Sequence, residues 1–329
     1  MTDVADVTEA RRNVLVFREL PQEQLARITA LHDVTVANPR DPAQRAAFEA
    51  ALPKADAMIG SSVKITDAML DTAPGLRVIS SISVGVDNYP VPSLQARGIT
   101  LCHTPGVLTE TTADTVFALL MATSRRVVEL ANLVREGRWQ RNIGEALFGW
   151  DVHGKTLGIL GFGRIGQAVA RRGALGFGMP VLYAGRRAAD VPELAGRARH
   201  VSQQELLAKS DFVVATLPLN DETRGMLGAD EFAAMKPGAI FINGGRGATV
   251  QEDALLHALD QGTLRAAGLD VFAAEPLPLD SPLRTHPRVT ALPHIGSATH
   301  ETRHAMAVMA TTNLLECLGG RSPLAVYTS

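Results

Sequence analysis

The sequence has very little cysteine: Cys102 and Cys317 are the two cysteines among 329 residues. They form no C-x-x-C pair and no Cys/His cluster, which excludes a disulfide framework and a zinc site. We therefore predict that both are buried thiols. We also expect no bound metal ion, because no group of histidines, cysteines or carboxylates falls at the spacing of metal ligands.

Long apolar runs and an excess of one charge are also missing. The longest segment without Asp, Glu, Lys or Arg, residues 173–185, has 13 residues, well short of the roughly 20 that a membrane-spanning helix needs. The formal net charge of -2 leaves no positive excess for nucleic acid or an anionic membrane surface. The acidic, polar N-terminus does not resemble a secretory signal. We expect a cytoplasmic protein that binds neither nucleic acid nor membrane.

Apolar residues are plentiful, at 46% of the chain, and the length predicts about two domains. Short β-branched runs alternate with helical segments, which predicts an α/β protein of two doubly wound, Rossmann-like parallel sheets, the first of them flavodoxin-like. The strands predicted for the first sheet are Val14–Phe17, Val34–Val36, Ala57–Ile59, Val78–Ser81 and Ile99–Leu101. The six predicted for the second are Leu157–Leu160, Val181–Tyr183, Phe212–Ala215, Ala239–Asn243, Ala266–Leu269 and Val289–Leu292.

Two helices organise the predicted domains. A 3.6-residue apolar period predicts one long linking helix from Thr111 to about Arg135. Trp139 follows it, and we favour core packing for this side chain over contact with a partner subunit. A final helix, from about Thr299 to Leu318, has no strand after it and is expected to complete the first domain. The predicted domains are residues 1–108 with 296–329 for the substrate and residues 109–295 for NAD(P).

A glycine motif follows the first strand of the second domain. Gly161-Phe-Gly163-Arg-Ile-Gly166 lies between an apolar strand and a helix, the context in which G-x-G-x-x-G binds a dinucleotide. Gly161 allows the tight turn, Gly163 lets the backbone approach the pyrophosphate, and Gly166 lets helix and strand pack closely. The helix N-terminus then offers N–H groups to the phosphates.

The end of the next strand predicts which dinucleotide is bound. An NAD enzyme carries Asp or Glu there for the ribose hydroxyl, but this chain has Gly185, Arg186 and Arg187. Two guanidinium groups suit a 2′-phosphate. We therefore expect NADP(H) in preference to NAD(H), and the alternative is a solvated pair of surface arginines.

Three further strand ends each carry one reactive side chain: Arg246, Glu275 and His294. Ligands of open parallel sheets bind at the carboxyl ends of strands, so these side chains are expected to converge. A histidine has an ordinary pKa near 6.5 and is suited to protonate a developing alkoxide, with a carboxylate to orient it. An arginine fits a substrate carboxylate. Taken singly, each residue also has an ordinary structural explanation as a loop, turn or strand-end residue.

The motifs GFGRIG, NGGRG, GLDVFAAEP and LPHIGSAT, in this order, resemble those of the D-isomer-specific 2-hydroxyacid dehydrogenases. Within that family, LPHIGSATHETR and the GRR segment look most like the glyoxylate/hydroxypyruvate reductases that also act as 2-ketogluconate reductases. The resemblance implies that His294 donates a proton, Glu275 is its carboxylate partner and Arg246 binds substrate. Formate dehydrogenases of the same superfamily carry Gln at the position of Glu275, which argues against formate as the substrate.

The resemblance also implies the ligand contacts. The backbone of Val84 and Gly85 is expected to bind the substrate carboxylate together with Arg246 and His294. The residues expected at the cofactor are Gly161, Gly163, Arg164, Ile165, Gly166, Arg186, Arg187, Thr112, Leu217, Pro218, Thr223, Gly244, Gly245, Asp270 and Gly296. Relatives of this kind look like dimers paired through their cofactor domains, so a homodimer is expected.

We predict NADPH-dependent reduction of small 2-oxo acids, namely hydroxypyruvate, glyoxylate or 2-keto-D-gluconate, to D-2-hydroxy acids. One alternative is another D-2-hydroxyacid dehydrogenase, of the D-lactate or 3-phosphoglycerate type. A different alternative is a non-catalytic, dinucleotide-sensing protein similar to the corepressors built on this fold, since fold alone does not decide function.

Overall fold

A computed structural model of the chain describes residues 10–328. They fall into two compact units: the first ends at Val107 and resumes at Thr299, and the second is Leu108–Ala298. The sequence placed the divisions after residues 108 and 295. The assignment of substrate to one unit and cofactor to the other stays a prediction.

Strands and helices alternate along the chain. The strands are β1 (Asn13–Val16), β2 (Asp33–Val36), β3 (Ala57–Gly60), β4 (Val78–Ser81), β5 (Thr100–Cys102), β6 (Leu157–Leu160), β7 (Val181–Ala184), β8 (Ala198–His200), β9 (Phe212–Ala215), β10 (Ala239–Asn243), β11 (Leu264–Leu269) and β12 (Val289–Ala291). The helices are α1 (Gln22–Leu31), α2 (Arg45–Ala51), α3 (Asp67–Asp71), α4 (Val91–Ala96), α5 (Thr109–Ser124), α6 (Val127–Arg135), α7 (Arg164–Arg171), α8 (Gln203–Lys209), α9 (Ala229–Ala234), α10 (Glu252–Asp260) and α11 (His300–Leu318).

The first unit is built on the parallel sheet β2-β1-β3-β4-β5, the order of flavodoxin-like folds. Its central strands β3 and β4 are buried along their whole length, which explains their continuous apolar or small side chains. Helix α11 begins after the N-cap Thr299 and packs on this sheet, where Ser80 Oγ donates a 2.7 Å hydrogen bond to the carbonyl of Ala310. The prediction that the last helix completes the first domain is confirmed.

The second unit is built on the parallel sheet β12-β11-β10-β9-β6-β7-β8. Strand order reverses next to β6, whose neighbours are β7 on one side and β9 on the other. That reversal is where open α/β sheets bind ligands, beyond the carboxyl ends of the strands. The predicted fold class is confirmed, but the sequence prediction missed the edge strand β8, of which two of three residues are exposed.

The predicted single linking helix is wrong, because the chain forms two helices, α5 and α6. Arg126 interrupts the helix with a left-handed backbone (φ 55°). The carbonyl of Ser124 accepts a 3.0 Å hydrogen bond from the backbone N–H of Trp150, and Ser124 Oγ donates to the carbonyl of Trp150. A tertiary contact therefore uses a carbonyl that a continuous helix would need for itself.

Two predictions of burial are also wrong. Trp139 was expected in the core, but it is 60% exposed within the chain. Cys317 was expected to be buried and is partly exposed, whereas Cys102 is fully buried. Both errors concern side chains that follow or end a helix, where the apolar period no longer tells which side faces the core.

Across residues 10–328, no helix combines the length and apolarity needed to cross a bilayer. The same part of the chain holds no group of three or more His, Cys, Asp or Glu side chains arranged to bind a metal ion. The cytoplasmic location stays a prediction.

Candidate active site

The glycine motif forms the turn between β6 and α7. Gly161 has a left-handed backbone (φ 87°) that glycine adopts without strain. A Cβ on Gly166 would lie 2.3 Å from the carbonyl oxygen of Gly161, so only glycine allows this approach of helix to turn. A Cβ on Gly163 would meet no atom within 4 Å. The backbone at Gly163 therefore faces open space, as a cofactor-binding turn requires.

Helix α7 begins at Arg164, and its N-cap Gly163 supplies no side-chain cap. The N–H groups of a first helical turn have no partner inside the helix and attract anions. The backbone at Arg164 and Ile165 belongs to this turn. The N-terminus of α7 is uncapped, and Gly163, in the turn before it, leaves room for a ligand. Both features fit the pyrophosphate of a dinucleotide.

Arg186 and Arg187 follow β7 directly. Strands β6 and β7 pair in parallel, and Gly161 N donates a 3.0 Å hydrogen bond to the carbonyl of Ala184, so the arginines start from the same sheet edge as the glycine turn. Both guanidinium groups are exposed. Neither has a hydrogen bond or ion pair to another residue in the range 10–328. The pair therefore has the charge and the freedom to bind an anion beside the turn.

The other predicted cofactor residues lie on loops at the same edge. Leu217 and Pro218 follow β9, and Thr223 Oγ1 donates a 2.6 Å hydrogen bond to the carbonyl of Pro218, which closes their loop. Gly244 and Gly245 follow β10. A Cβ on Gly245 would lie 2.7 Å from the carbonyl oxygen of Leu217, so the loops after β9 and β10 touch.

Asp270, at the end of β11, holds the loop after β12. Its side chain is only 2% exposed, and its two oxygens accept 2.8 Å hydrogen bonds from the N–H groups of Ile295 and Gly296. Burial raises the pKa of Asp270, and this outweighs the backbone hydrogen bonds, which act to lower it. The side chain of Thr112, in α5, lies against Gly296: a Cβ there would be 3.2 Å from Thr112 Cγ2.

His294 and Glu275 are in direct contact. His294 Nδ1 lies 2.7 Å from Glu275 Oε2, and Glu275 Oε1 accepts a 3.0 Å hydrogen bond from the N–H of Phe272. An ionised carboxylate only accepts hydrogen bonds, so Nδ1 carries the proton and Nε2 is left for other partners. The side chains of His294 and Glu275 are 46% and 36% exposed, respectively. His294 has a left-handed backbone (φ 54°), which non-glycine residues adopt rarely.

The electrostatics keep Glu275 ionised. Burial acts to raise its pKa, but hydrogen bonds from His294 and Phe272, together with the charge of Arg246, hold the pKa below its ordinary value. The imidazole therefore faces an ionised carboxylate, which favours the tautomer with the proton on Nδ1.

Arg246 follows β10 in a loop that Asn243 shapes. The buried amide of Asn243 accepts a 3.0 Å hydrogen bond from Gly245 N and donates one to the carbonyl of Arg246. Thr249 Oγ1 donates a second bond, of 2.7 Å, to the same carbonyl. Arg246 is partly exposed and near enough to Glu275 for its charge to act on that pKa. The positioning role of Asn243 was not predicted from the sequence, because it depends on the backbone groups that lie opposite its amide.

Val84 and Gly85 lie in the first unit, in the loop after β4. Ser83 Oγ donates a 2.7 Å hydrogen bond to the carbonyl of Gly85, and His103 Nδ1 lies 3.1 Å from the carbonyl of Val84. With both carbonyls engaged, the loop is held in a fixed shape. Its role in binding a carboxylate stays a prediction.

Comparison with known proteins identifies the family. Residues 117–296 match the family described as D-isomer specific 2-hydroxyacid dehydrogenase, NAD binding domain. Glyoxylate/hydroxypyruvate reductase B of Yersinia pestis (strain Pestoides F) is 50% identical over 308 residues, which are 94% of this chain and 94% of that protein. The chain belongs to the D-isomer specific 2-hydroxyacid dehydrogenase family.

Solved structures agree with this assignment. The crystal structure of a protein from Thermus thermophilus has a TM-score of 0.88 at 43% identity, covering 96% of this chain and 100% of that one. An NADPH-dependent glyoxylate/hydroxypyruvate reductase from Sinorhizobium meliloti, in complex with NADP and malonate, has a TM-score of 0.87 at 31% identity, covering 97% of each chain. The predicted resemblance to the glyoxylate/hydroxypyruvate reductase branch is confirmed.

Proposed function

We propose that the protein reduces hydroxypyruvate, glyoxylate and 2-keto-D-gluconate to D-2-hydroxy acids with NADPH. The observation that carries this proposal is the contact between His294 and Glu275, beside a positively charged Arg246. The 50% identity to a glyoxylate/hydroxypyruvate reductase supports the first two substrates. Of the substrates, 2-keto-D-gluconate is supported only by the sequence resemblance.

His294 is the proton donor in this proposal. Its Nδ1 is directed to the Glu275 carboxylate, so Nε2 is the atom that gives a proton to the substrate oxygen. Bound NADPH supplies the hydride for the carbonyl carbon. Because Glu275 stays ionised, it accepts the Nδ1 hydrogen bond and keeps the ring oriented before and after the transfer. Both side chains are open to solvent, from which Nε2 regains its proton.

Arg246 binds the substrate carboxylate and polarises the adjacent carbonyl. A guanidinium presents paired N–H donors that match a carboxylate, which positions the 2-oxo group and stabilises negative charge on its oxygen. The backbone N–H groups of Val84 and Gly85 are the further carboxylate donors in this proposal. Within the first unit, Ser83 holds the loop that carries them.

The NADPH preference rests on Arg186 and Arg187. Their exposed, unpaired guanidinium groups beside the glycine turn would hold a 2′-phosphate, and the Sinorhizobium meliloti relative is NADPH-dependent. NAD(H) is the alternative. The test is the ratio of kcat/KM for NADPH to that for NADH in Arg186→Ala/Arg187→Ala, with Arg77→Ala as an exposed control. We expect a fall of roughly 10-fold or more in the double variant; an unchanged ratio would refute the phosphate role.

A substrate panel at fixed NADPH tests the reaction itself. We expect turnover of hydroxypyruvate, glyoxylate and 2-keto-D-gluconate. Chiral analysis should show the D configuration at C2 of the products of hydroxypyruvate and 2-keto-D-gluconate, whereas the product of glyoxylate is achiral. Preferred turnover of pyruvate or 3-phosphohydroxypyruvate would favour the D-lactate or 3-phosphoglycerate type of dehydrogenase. Tight dinucleotide binding without turnover of any 2-oxo acid would favour the sensing protein.

We propose a homodimer as the working state. Residues 127–150 of the second unit leave several large apolar side chains exposed: Val127, Val128, Val134, Trp139, Ile143, Phe148 and Trp150. A concentration of apolar surface on one segment is typical of a protein interface. Sedimentation should give a dimer that Trp139→Glu/Phe148→Glu converts to monomer, and a wild-type monomer at micromolar concentration would exclude it.

A further inference from the structure

The two cysteines of the chain, 215 positions apart, meet in the first unit. Cys102 ends β5, Cys317 lies one residue before the end of α11, and their Sγ atoms are 3.7 Å apart. Sequence spacing gave no sign of this pairing, because no redox or metal motif links the two residues. Neither cysteine takes part in the proposed reaction.

The C-terminal segment holds the pair together and shields one member of it. Val326 forms an antiparallel bridge with Cys102, and Tyr327 N donates a 2.8 Å hydrogen bond to the carbonyl of Leu101. Asn313, on α11, donates to the carbonyl of His103 and accepts from Ala325 N. Strand, tail and helix are therefore fixed to one another beside the two sulfur atoms.

The two thiols differ in access and in hydrogen bonding. Cys102 is fully buried, whereas Cys317 is partly exposed. The hydrogen bond between the two sulfur atoms lowers the pKa of Cys317, although burial and Glu316 act to raise it. The same hydrogen bond, together with burial, raises the pKa of Cys102. An oxidant from solvent thus reaches Cys317, the thiol with more thiolate character.

We propose that Cys102 and Cys317 form a peroxide-sensitive site, in which Cys317 is oxidised first and then joined to Cys102 by a reversible disulfide. The Cys317 thiolate attacks hydrogen peroxide, giving a sulfenic acid on Cys317 and hydroxide. The Cys102 sulfur then attacks the Cys317 sulfur, the S–OH bond breaks, and hydroxide leaves with the Cys102 proton as water. Two thiols are oxidised, and one peroxide is reduced to two waters.

The geometry favours this outcome over further oxidation. A disulfide requires the sulfur atoms to close from 3.7 Å to about 2.05 Å. A sulfenic acid condenses with a neighbouring thiol to form a disulfide, which removes the species that a second peroxide would oxidise. The bond would link β5 to α11 across most of the chain, and a crosslink closing such a long loop restricts the unfolded state strongly. The oxidised protein should therefore melt at a higher temperature than the reduced one.

The test treats the reduced full-length protein with a small excess of hydrogen peroxide, followed by alkylation and mass spectrometry. We expect the mass of two hydrogen atoms to be lost, a peptide linking Cys102 to Cys317, a raised Tm, and complete reversal by dithiothreitol. Cys102→Ser and Cys102→Ala should both stop at a sulfenic acid that dimedone traps on Cys317. In Cys317→Ser, Cys102 should remain a free thiol.

Several results would overturn the proposal. These are recovery of both cysteines as alkylated thiols after peroxide, a sulfinic acid on Cys317 with Cys102 still free, or a disulfide between two chains on a non-reducing gel. The wild-type peptide map decides among them, so the result does not depend on how well the variants fold.

Discussion

Gly296 N donates a 2.8 Å hydrogen bond to Asp270 Oδ2, and this contact fixes the loop that carries His294. The second oxygen of Asp270 accepts an equal bond from Ile295 N. The carboxylate is almost completely buried, so water cannot easily replace it. His294, in a left-handed backbone conformation just before these two residues, depends on Asp270 for its place.

Asp270→Asn should therefore impair catalysis without touching the proton donor itself. The amide nitrogen would face one of the two N–H donors, which loses its acceptor. We expect kcat for hydroxypyruvate to fall by roughly 10-fold or more, since small displacements of catalytic groups are costly. The free energy of unfolding should fall by about 1–3 kcal/mol. Steady-state kinetics and urea unfolding check both, and a wild-type kcat would contradict the positioning role.

Glu275→Gln removes the charge opposite His294 and keeps the size of the side chain. Without the carboxylate, the imidazole loses the ionised hydrogen-bond partner that orients it. We expect kcat to fall by about 10²-fold with little change in the KM for NADPH. Glu205→Gln is the matched control, because it also removes a glutamate with ionic partners, Arg199 and Lys209. Equal kinetics in the two variants would contradict the role of Glu275.

The lowered pKa of Glu275 also predicts a dependence of stability on acid. The unfolded chain titrates this group near pH 4.3, and the folded chain titrates it lower. The contribution to stability is therefore complete above the unfolded pKa and is lost as the pH falls through the folded one. Urea midpoints of wild type and Glu275→Gln should differ more at about pH 6 than at about pH 3. A difference independent of pH would contradict this assignment.

Gly163→Ala and Gly166→Ala separate cofactor binding from folding. A methyl group on Gly163 enters open space, so stability should change by less than about 1 kcal/mol, while the KM for NADPH rises roughly 10-fold or more. A methyl group on Gly166 would press against the carbonyl of Gly161 and should cost about 1–3 kcal/mol of stability. Thermal unfolding and cofactor titration distinguish the two. Equal effects of both variants would contradict the assignment of Gly163 to the ligand.

The sequence predicts the sheets well, because buried parallel strands read as short β-branched runs. Strands β4, β6, β9 and β10 have the predicted bounds, and the others differ by at most two residues at either end. Strand β8 was not predicted, because its sequence, Ala-Arg-His, contains no apolar run and the strand lies at a sheet edge. The helix break at Arg126 was not predicted, because it depends on Trp150, which is distant in sequence. The N–H of Trp150 donates to the carbonyl of Ser124, which a continuous helix would use for its own hydrogen bond.

The reactive residues of the candidate site could be predicted from the sequence, but the hydrogen bonds that position them could not. Arg246, Glu275 and His294 stand at strand ends, and the rule for parallel sheets brings such positions to one edge. The hydrogen bonds of Asp270 to the loop after β12 and of Asn243 around Arg246 depend on which backbone groups lie opposite a side chain. That information is not carried by residue type or spacing. The contact of Cys102 with Cys317 is of the same kind.

The most direct test of the proposed proton donor is the reduction of hydroxypyruvate with NADPH by His294→Gln, beside His153→Gln as an exposed control histidine. Glutamine keeps a polar side chain at this position but has no acidic proton to give. We predict that kcat falls by about 10²–10⁴-fold, while NADPH binding, measured by fluorescence titration, is unchanged and the control retains wild-type turnover. A kcat in His294→Gln within roughly tenfold of wild type, below the usual range for loss of a general acid, would contradict the account.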